Sequence, residues 1–311
     1  MSNSRENRLA ANASERWRIN RRELFAASAA AAASASFLRA GDDAGFRLRH
    51  LLASSLYGQT PIGDVLPEVA ATGSEAIDLW PKPHGAQREA VDAMGVEAFA
   101  TMCRGAGVRV GCLTRYELGA AALSDEIGVA RSLGATHVVA NAKGTKPGGN
   151  VAAYAKTLYE TIAAAEAAGV TVCVENHPRT ALHSADAVRQ FRDAVRLPAV
   201  KIALAPAHLP QDAAAVATLV RDLGDRIGLF YAWQRGTGFM RKQPTGDDLS
   251  QLPGIGPLDL APIVSALGDV AFDGWTSVFM HPVPRGVPAA GSVEETTSAV
   301  RSSLAYLRGL A

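Results

Sequence analysis

From Phe46 onward, short apolar and β-branched runs recur along the chain, at 47–55 (RLRHLLASS), 75–80 (EAIDLW), 108–114 (VRVGCLT) and 136–142 (THVVANA). The series continues at 170–176 (VTVCVEN), 200–206 (VKIALAP), 226–233 (RIGLFYAW) and 275–282 (WTSVFMHP). Between the runs stand segments rich in Ala, Leu, Glu and Arg, such as AQREAVDAMGVEAFATMCRGA and NVAAYAKTLYETIAAAEAAG. Several of these stop at a glycine just before the next run (Gly107, Gly134, Gly169), as a helix does when it ends in a left-handed residue. Strands alternating with helices at a spacing of about thirty residues predict parallel βα units. Eight such units predict an α/β fold, a single-domain (β/α)8 TIM barrel over residues 45–311. An open doubly wound sheet is the alternative, but no glycine-rich phosphate loop follows the first run.

In a TIM barrel the active site forms at the C-terminal strand ends, so the residues there carry the functional reading. The fifth run ends abruptly in Glu175, Asn176 and His177. A buried carboxylate is costly unless paired, hydrogen-bonded or metal-bound, which predicts that Glu175 points into the mouth. Side chains two apart share a strand face. That phase groups Thr171, Cys173, Glu175 and His177 on the fifth strand, with Ala203, Ala205 and then His208 on the sixth. It groups Leu229, Tyr231 and Trp233 on the seventh strand, Ser277, Phe279 and His281 on the eighth, and Asp78 and Trp80 on the second, with His84 in the loop beyond. His137 falls at the opposite end of its strand and reads as structural; His50 and His183 carry no functional assignment.

Composition narrows the field. Hydrophobic residues make up 48% of the 311 positions, ample for one large core. Lys and Arg number 31 against 30 for Asp and Glu, so the chain lacks the basic footprint that a nucleic-acid binder needs against phosphate. Cys103, Cys112 and Cys173 are too few and odd in number for a disulfide framework, and two of them lie in apolar runs. Residues 1–40 differ from the rest: a basic start, Arg21-Arg22, an Ala/Ser-rich weakly apolar run, then Ala33-Ser34-Ala35. This order predicts an export signal of the twin-arginine type and a periplasmic location; an Ala-rich helical extension on a cytoplasmic protein is the alternative. The run is too short and weakly apolar for a stable membrane span, which needs about 20 apolar residues.

The segments EAIDLW, VENHP, the Pro-Ala-His-Leu of ALAPAHLP, and GPLDLAPIVSALGDVAFDGWTSV together resemble the xylose-isomerase-like superfamily of TIM barrels, the sugar phosphate isomerases and epimerases related to endonuclease IV. The resemblance runs from about Phe46 to Leu310. It implies one divalent metal held by a Glu at strand five, an Asp at strand six, a His at strand seven and a Glu at strand eight, with the two Glu side chains moving the substrate proton. Carried onto this chain, those positions are Glu175, Ala205, Tyr231 and Phe279, with His208 kept beyond Ala205. Three of the four usual ligands are absent, and Glu175 with His208 is a weak metal set, because hard cations need several ligands. A site rebuilt from His84, His177, His208, His281 and Glu175 is a second possibility, of a kind suited to Zn, Cu, Fe or Ni.

Losing charged ligands leaves an aromatic mouth of Trp80, Tyr231, Trp233 and Phe279, and flat rings with hydrogen-bonding edges suit a sugar or polyol. The long connection after strand seven, RGTGFMRKQPTGDDLSQLPGIGP, reads as a candidate lid. Arg235 and Arg285, in the loops after strands seven and eight, could clamp an anionic group. Two functions follow. One is an isomerase- or epimerase-like enzyme with Glu175 as base and His208 or His281 as acid, binding substrate through Trp80, His84, His177, Tyr231, Trp233, Arg235, Phe279 and Arg285. The other is a non-catalytic carbohydrate-binding barrel. Endonuclease-like DNA repair is disfavoured, since most of the metal ligands it requires are missing.

Overall fold

A computed structural model describes residues 45–235 and 248–311 of the chain. Each apolar run forms a strand: β1 Arg49–Ala53, β2 Ala76–Leu79, β3 Val110–Thr114, β4 His137–Asn141, β5 Thr171–Glu175, β6 Val200–Leu204, β7 Ile227–Tyr231 and β8 Trp275–Val278. They pair in parallel in chain order, and β8 returns to β1 to close the barrel, with Arg49 opposite Trp275 and Leu51 opposite Ser277. Closure leaves no exposed sheet edge, so the ladder between first and last strands is as protected as any other.

The connecting helices form where capping chemistry and an apolar stripe coincide. Ser184, Asp212 and Ser292 each accept a hydrogen bond from the backbone N–H three residues on, opening the helices Ala185–Ala194, Ala213–Leu223 and Val293–Arg308. The second of these buries Val216, Ala217, Leu219, Val220 and Leu223 against the barrel wall. Gly169 stops the helix Tyr159–Ala168 at φ +65°, a conformation that L side chains rarely adopt.

The apolar residues separate into two shells. Outward-facing strand residues such as Val138, Val172, Val174, Ile202 and Phe230 pack under the helices. Inward-facing ones, Leu51, Ala76, Cys112, Val139, Cys173, Ala203, Leu229 and Trp275 among them, fill the lumen. Large rings fit there because their neighbours are small. A Cβ on Gly111 would lie 2.8 Å from Ala76 Cβ and 3.2 Å from the Trp275 ring. The indole of Trp275 in turn lies beneath the Arg49 guanidinium, 4.1 Å from its ring centre. The expected phase holds on β2, β5, β6, β7 and β8: Trp80, Cys173, Ala203 with Ala205, Tyr231 with Trp233, and Phe279 all lie in the inner shell. Cys103, Cys112 and Cys173 are buried free thiols.

Residues 1–40, expected to form an export signal, lie outside the described residues, as do 236–247, most of the expected lid. Among the described residues no helix is long and apolar enough to cross a membrane.

Overpacking the lumen should be costly. Gly111→Ala is expected to lower unfolding free energy by about 1–3 kcal/mol, read as a shifted urea midpoint with unchanged slope.

Candidate active site at the barrel mouth

Strand phase and chain direction deliver a set of polar side chains to the C-terminal end of the barrel. Glu175 is the last residue of β5 and His208 ends a short turn, Pro206–His208, just past β6. The His208 and Glu175 side chains are 3% and 4% exposed, with His208 Nε2 3.4 Å from Glu175 Oε1. Asn176 holds this geometry from behind. Its Oδ1 accepts from the Ala205 N–H at 2.7 Å and its Nδ2 donates to the Ala205 carbonyl at 3.0 Å, locking the end of β5 to the start of the His208 turn.

A cavity of about 170 Å³ opens at this point, lined by His84, Tyr116, Asn141, Glu175, His177, His208, Phe279, His281 and Arg285. Seven of these nine were expected from the sequence; Tyr116 and Asn141 were not. Asn141 ends β4 directly opposite Glu175. Tyr116 continues the inward phase of Cys112 and Thr114 beyond the end of β3. Extending the alternation rule to β3 and β4 would have found both.

The remaining expected residues sit behind the cavity wall. Trp80, Tyr231 and Trp233 are fully buried, and Arg235 is buried without lining the cavity. Trp80 lies stacked on Phe279, with ring centres 4.6 Å apart and planes at 15°. Its indole N–H donates to Asp78 Oδ2 at 2.7 Å, and the Thr114 hydroxyl donates to the same oxygen at 2.8 Å. Trp233 donates to Gln251 Oε1 at 3.0 Å, while Gln251 Nε2 donates to the His281 carbonyl at 2.9 Å, so one amide ties the β7 and β8 ends together. The Tyr231 hydroxyl lies 2.8 Å from the Tyr116 hydroxyl.

Burial sets the charge state of much of the mouth. It pushes His84 down to about 4, with the Arg285 charge adding to the effect. It holds His281 well below the ordinary imidazole range, helped by His84 and Arg285, and also lowers His177, against which the Glu175 charge works. These three imidazoles are therefore neutral near pH 7, each able to donate from one nitrogen and accept at the other. Burial, then the Glu175 charge, raise the Tyr116 and Tyr231 phenols well above their usual range, so both stay protonated.

A family-type divalent metal does not fit this donor set. Ala205 has no ligating atom, Phe279 is a ring stacked on Trp80, and the Tyr231 hydroxyl is bonded to Tyr116. In the rebuilt alternative His84 meets His281 with ring centres 4.5 Å apart, and His177 meets His208 at 4.7 Å. Among the described residues no group of three or more His, Cys, Asp or Glu is arranged to hold a metal ion.

Residues 66–309 match the model of the family described as xylose isomerase-like TIM barrel. The chain belongs to that family. No curated protein sequence matches it. Among solved structures, it is similar to D-psicose 3-epimerase with D-tagatose from Clostridium cellulolyticum H10, at 15% identity and TM-score 0.64, over 85% of this chain and 99% of that one. It is similar to 3-keto-D-glucoside 4-epimerase, YcjR, from E. coli, at 14% identity and TM-score 0.61, over 85% and 100%. It is also similar to the IOLI protein with a binding zinc atom, at 17% identity and TM-score 0.65, over 84% and 98%. At these identities the likeness is one of fold. As a xylose isomerase-like barrel the chain thus keeps the family frame while departing from the expected ligand set at three of its four positions.

Asp78 offers a test of the polar layer under the mouth. Burial raises its carboxyl from 3.8 to about 7, opposed by hydrogen bonds from Thr114 and Trp80. The folded state therefore holds this proton over a pH range in which the unfolded chain has lost it, so the group's contribution to stability falls as pH rises from about 4 to about 7. The total is on the order of 4 kcal/mol. Asp78→Asn should remove that decline, measured as the difference between variant and wild type in urea unfolding across the window.

Proposed function

We propose that this protein acts on a small carbohydrate or polyol, moving a proton α to a carbonyl without a divalent metal, with Glu175 as general base and His208 as its partner. The observation that carries this reading is the Glu175–His208 pair, 3.4 Å apart and buried in the same cavity. A carboxylate so placed is desolvated and oriented by the neighbouring imidazole, which suits proton abstraction from carbon. The neutral His84, His177 and His281, together with Asn141, supply donors and acceptors for hydroxyl groups, and Phe279 supplies an apolar face. The sugar class gains support from the family and from its epimerase neighbours.

Cavity size bears on the ligand. Drug-sized ligands occupy about 300 Å³ or more, whereas this cavity holds about 170 Å³. A short-chain carbonyl sugar fits that volume, or the reacting end of a longer one whose remainder leaves through the mouth. The strand-eight carboxylate that family members use as a second acid–base group is Phe279 here. One base favours removal and return of the proton on a single face of the intermediate. Return to the same carbon gives solvent exchange. Return to the neighbouring carbon, with a hydroxyl proton passed through an imidazole, gives isomerisation.

The Ala205, Tyr231 and Phe279 set also supports a second reading, a carbohydrate-binding barrel without catalysis. Deuterium uptake from solvent into a panel of trioses, pentoses and hexoses separates the two. Wild type is expected to exchange the α hydrogen and Glu175→Gln to lose about 10²–10⁴-fold in rate. Sugar binding with no exchange would establish the second reading.

Export belongs to the same proposal and rests on Arg21-Arg22 and the weakly apolar run behind them. A reporter fused after residue 40 should reach the periplasm, and Arg21→Lys with Arg22→Lys should keep it inside.

A further inference from the structure

Removing an α proton pushes negative charge onto the carbonyl oxygen. In the family resemblance a divalent metal absorbs that charge, and here the metal does not fit. We propose that the Tyr116 hydroxyl, held by Tyr231, takes over this role as a catalytic hydrogen-bond donor to the developing oxyanion, which makes the site an oxyanion hole built on the abandoned strand-seven ligand position. The inference rests on the proton-transfer reading above and names the electrophile that reading lacks.

The first support is hydrogen-bond satisfaction. Tyr231 is fully buried, and the partner its hydroxyl has among the described residues is Tyr116, at 2.8 Å. A buried O–H left without an acceptor costs about 1–3 kcal/mol. Tyr231 therefore donates to the Tyr116 oxygen. Each phenol has one proton, so Tyr116 keeps its own for another acceptor. Tyr116 is half-buried and lines the cavity that holds Glu175, so that acceptor is the cavity's occupant. The bond received from Tyr231 polarises the Tyr116 O–H and strengthens its donation.

A second support is rigidity. Tyr116 follows Arg115, whose guanidinium pairs with Glu117 and with the buried Glu126, and whose N–H donates to the Val139 carbonyl at 2.8 Å. Glu126 also pairs with buried Arg88, and the Arg88 N–H donates to the Trp80 carbonyl. The Trp80 ring meets the Tyr116 ring edge-on with centres 5.2 Å apart. A donor clamped before the reaction begins needs no reorganisation as charge develops.

The step balances within the site. Glu175 takes the proton from the α carbon, the C–H electron pair becomes the new C=C bond, and the carbonyl π pair moves onto oxygen. Tyr116 donates a hydrogen bond to that oxygen without surrendering its proton. Collapse of the enediolate reverses each movement. Tyr116 is thus catalytic and Tyr231 a positioning residue.

The test uses the full chain in EDTA and two probes that differ in the reacting unit. Glycolohydroxamate imitates an enediolate; glycolamide is its neutral counterpart. By calorimetric titration the wild type should bind the hydroxamate more tightly. Tyr116→Phe should weaken the hydroxamate about 10–100-fold and leave the amide within about twofold. Tyr231→Phe should reduce the same preference about three- to tenfold, a change in selectivity that lost packing alone does not produce. A wild type with no preference for the hydroxamate, or a Tyr116→Phe that weakens both probes equally or neither, overturns the proposal. So does hydroxamate binding that appears only when Mn²⁺ or Zn²⁺ replaces EDTA. These outcomes are read from affinity, so they stand apart from the deuterium experiment. Exchange lost in Glu175→Gln but untouched in Tyr116→Phe would keep the proton-transfer reading and remove the oxyanion hole.

Discussion

The mouth of this barrel is organised by one constraint, a carboxylate 3% exposed at the end of an apolar strand. Burying a carboxylate is costly unless it is paired or hydrogen-bonded. His208 faces Glu175 at 3.4 Å, and Asn176 pins the backbone that carries His208. Burial first, and then the Glu175 charge, raise both phenols opposite, which keeps them protonated. Fold, register and electrostatics meet at this residue. A slip of one residue in β5 would turn Glu175 toward the helices and put Asn176 in its place.

The lumen below the mouth is packed with aromatic rings. Phe279 stacks on Trp80, Tyr231 lies against Phe279 at 5.5 Å, and Trp233 meets Phe279 edge-on at 5.1 Å. The polar edges of those rings are satisfied, the two indoles by Asp78 and Gln251 and the Tyr231 phenol by Tyr116. Buried polar atoms are retained at low cost only when paired in this way. The rings that suit sugar recognition by type thus form mainly the support of the site, and the lining falls to Phe279, Tyr116 and the imidazoles.

Much of this was legible in the sequence, for a physical reason. Strand alternation is strictly two-fold, so Glu175, Trp233, Phe279 and His281 could be assigned to the inner face without knowing what they meet. Helix stops at Gly107, Gly134 and Gly169 were equally legible, since each takes positive φ. What the pattern does not carry is partnership across the ring. Tyr116 and Tyr231 stand 115 residues apart, and nothing near either one announces the other. Exposure is also invisible to periodicity. The alternation that turns Trp80 and Trp233 inward says nothing of depth, and both came to rest behind the cavity rather than at its surface. Asn141 is uncharged, and Tyr116 stands between Arg115 and Glu117, whose charges mark the end of β3 without marking the ring.

The departures from the expected ligand pattern fall at positions that are packed rather than vacant. A buried glutamate left without a partner would cost several kcal/mol. Here the glutamate keeps its imidazole partner, and each substituted position is integrated into the packing. Alanine at 205 leaves its backbone to be gripped by Asn176, tyrosine at 231 reaches Tyr116, and phenylalanine at 279 builds one wall of the cavity. The substituted positions thus stand in contacts compatible with the Glu175–His208 pair rather than as gaps beside it.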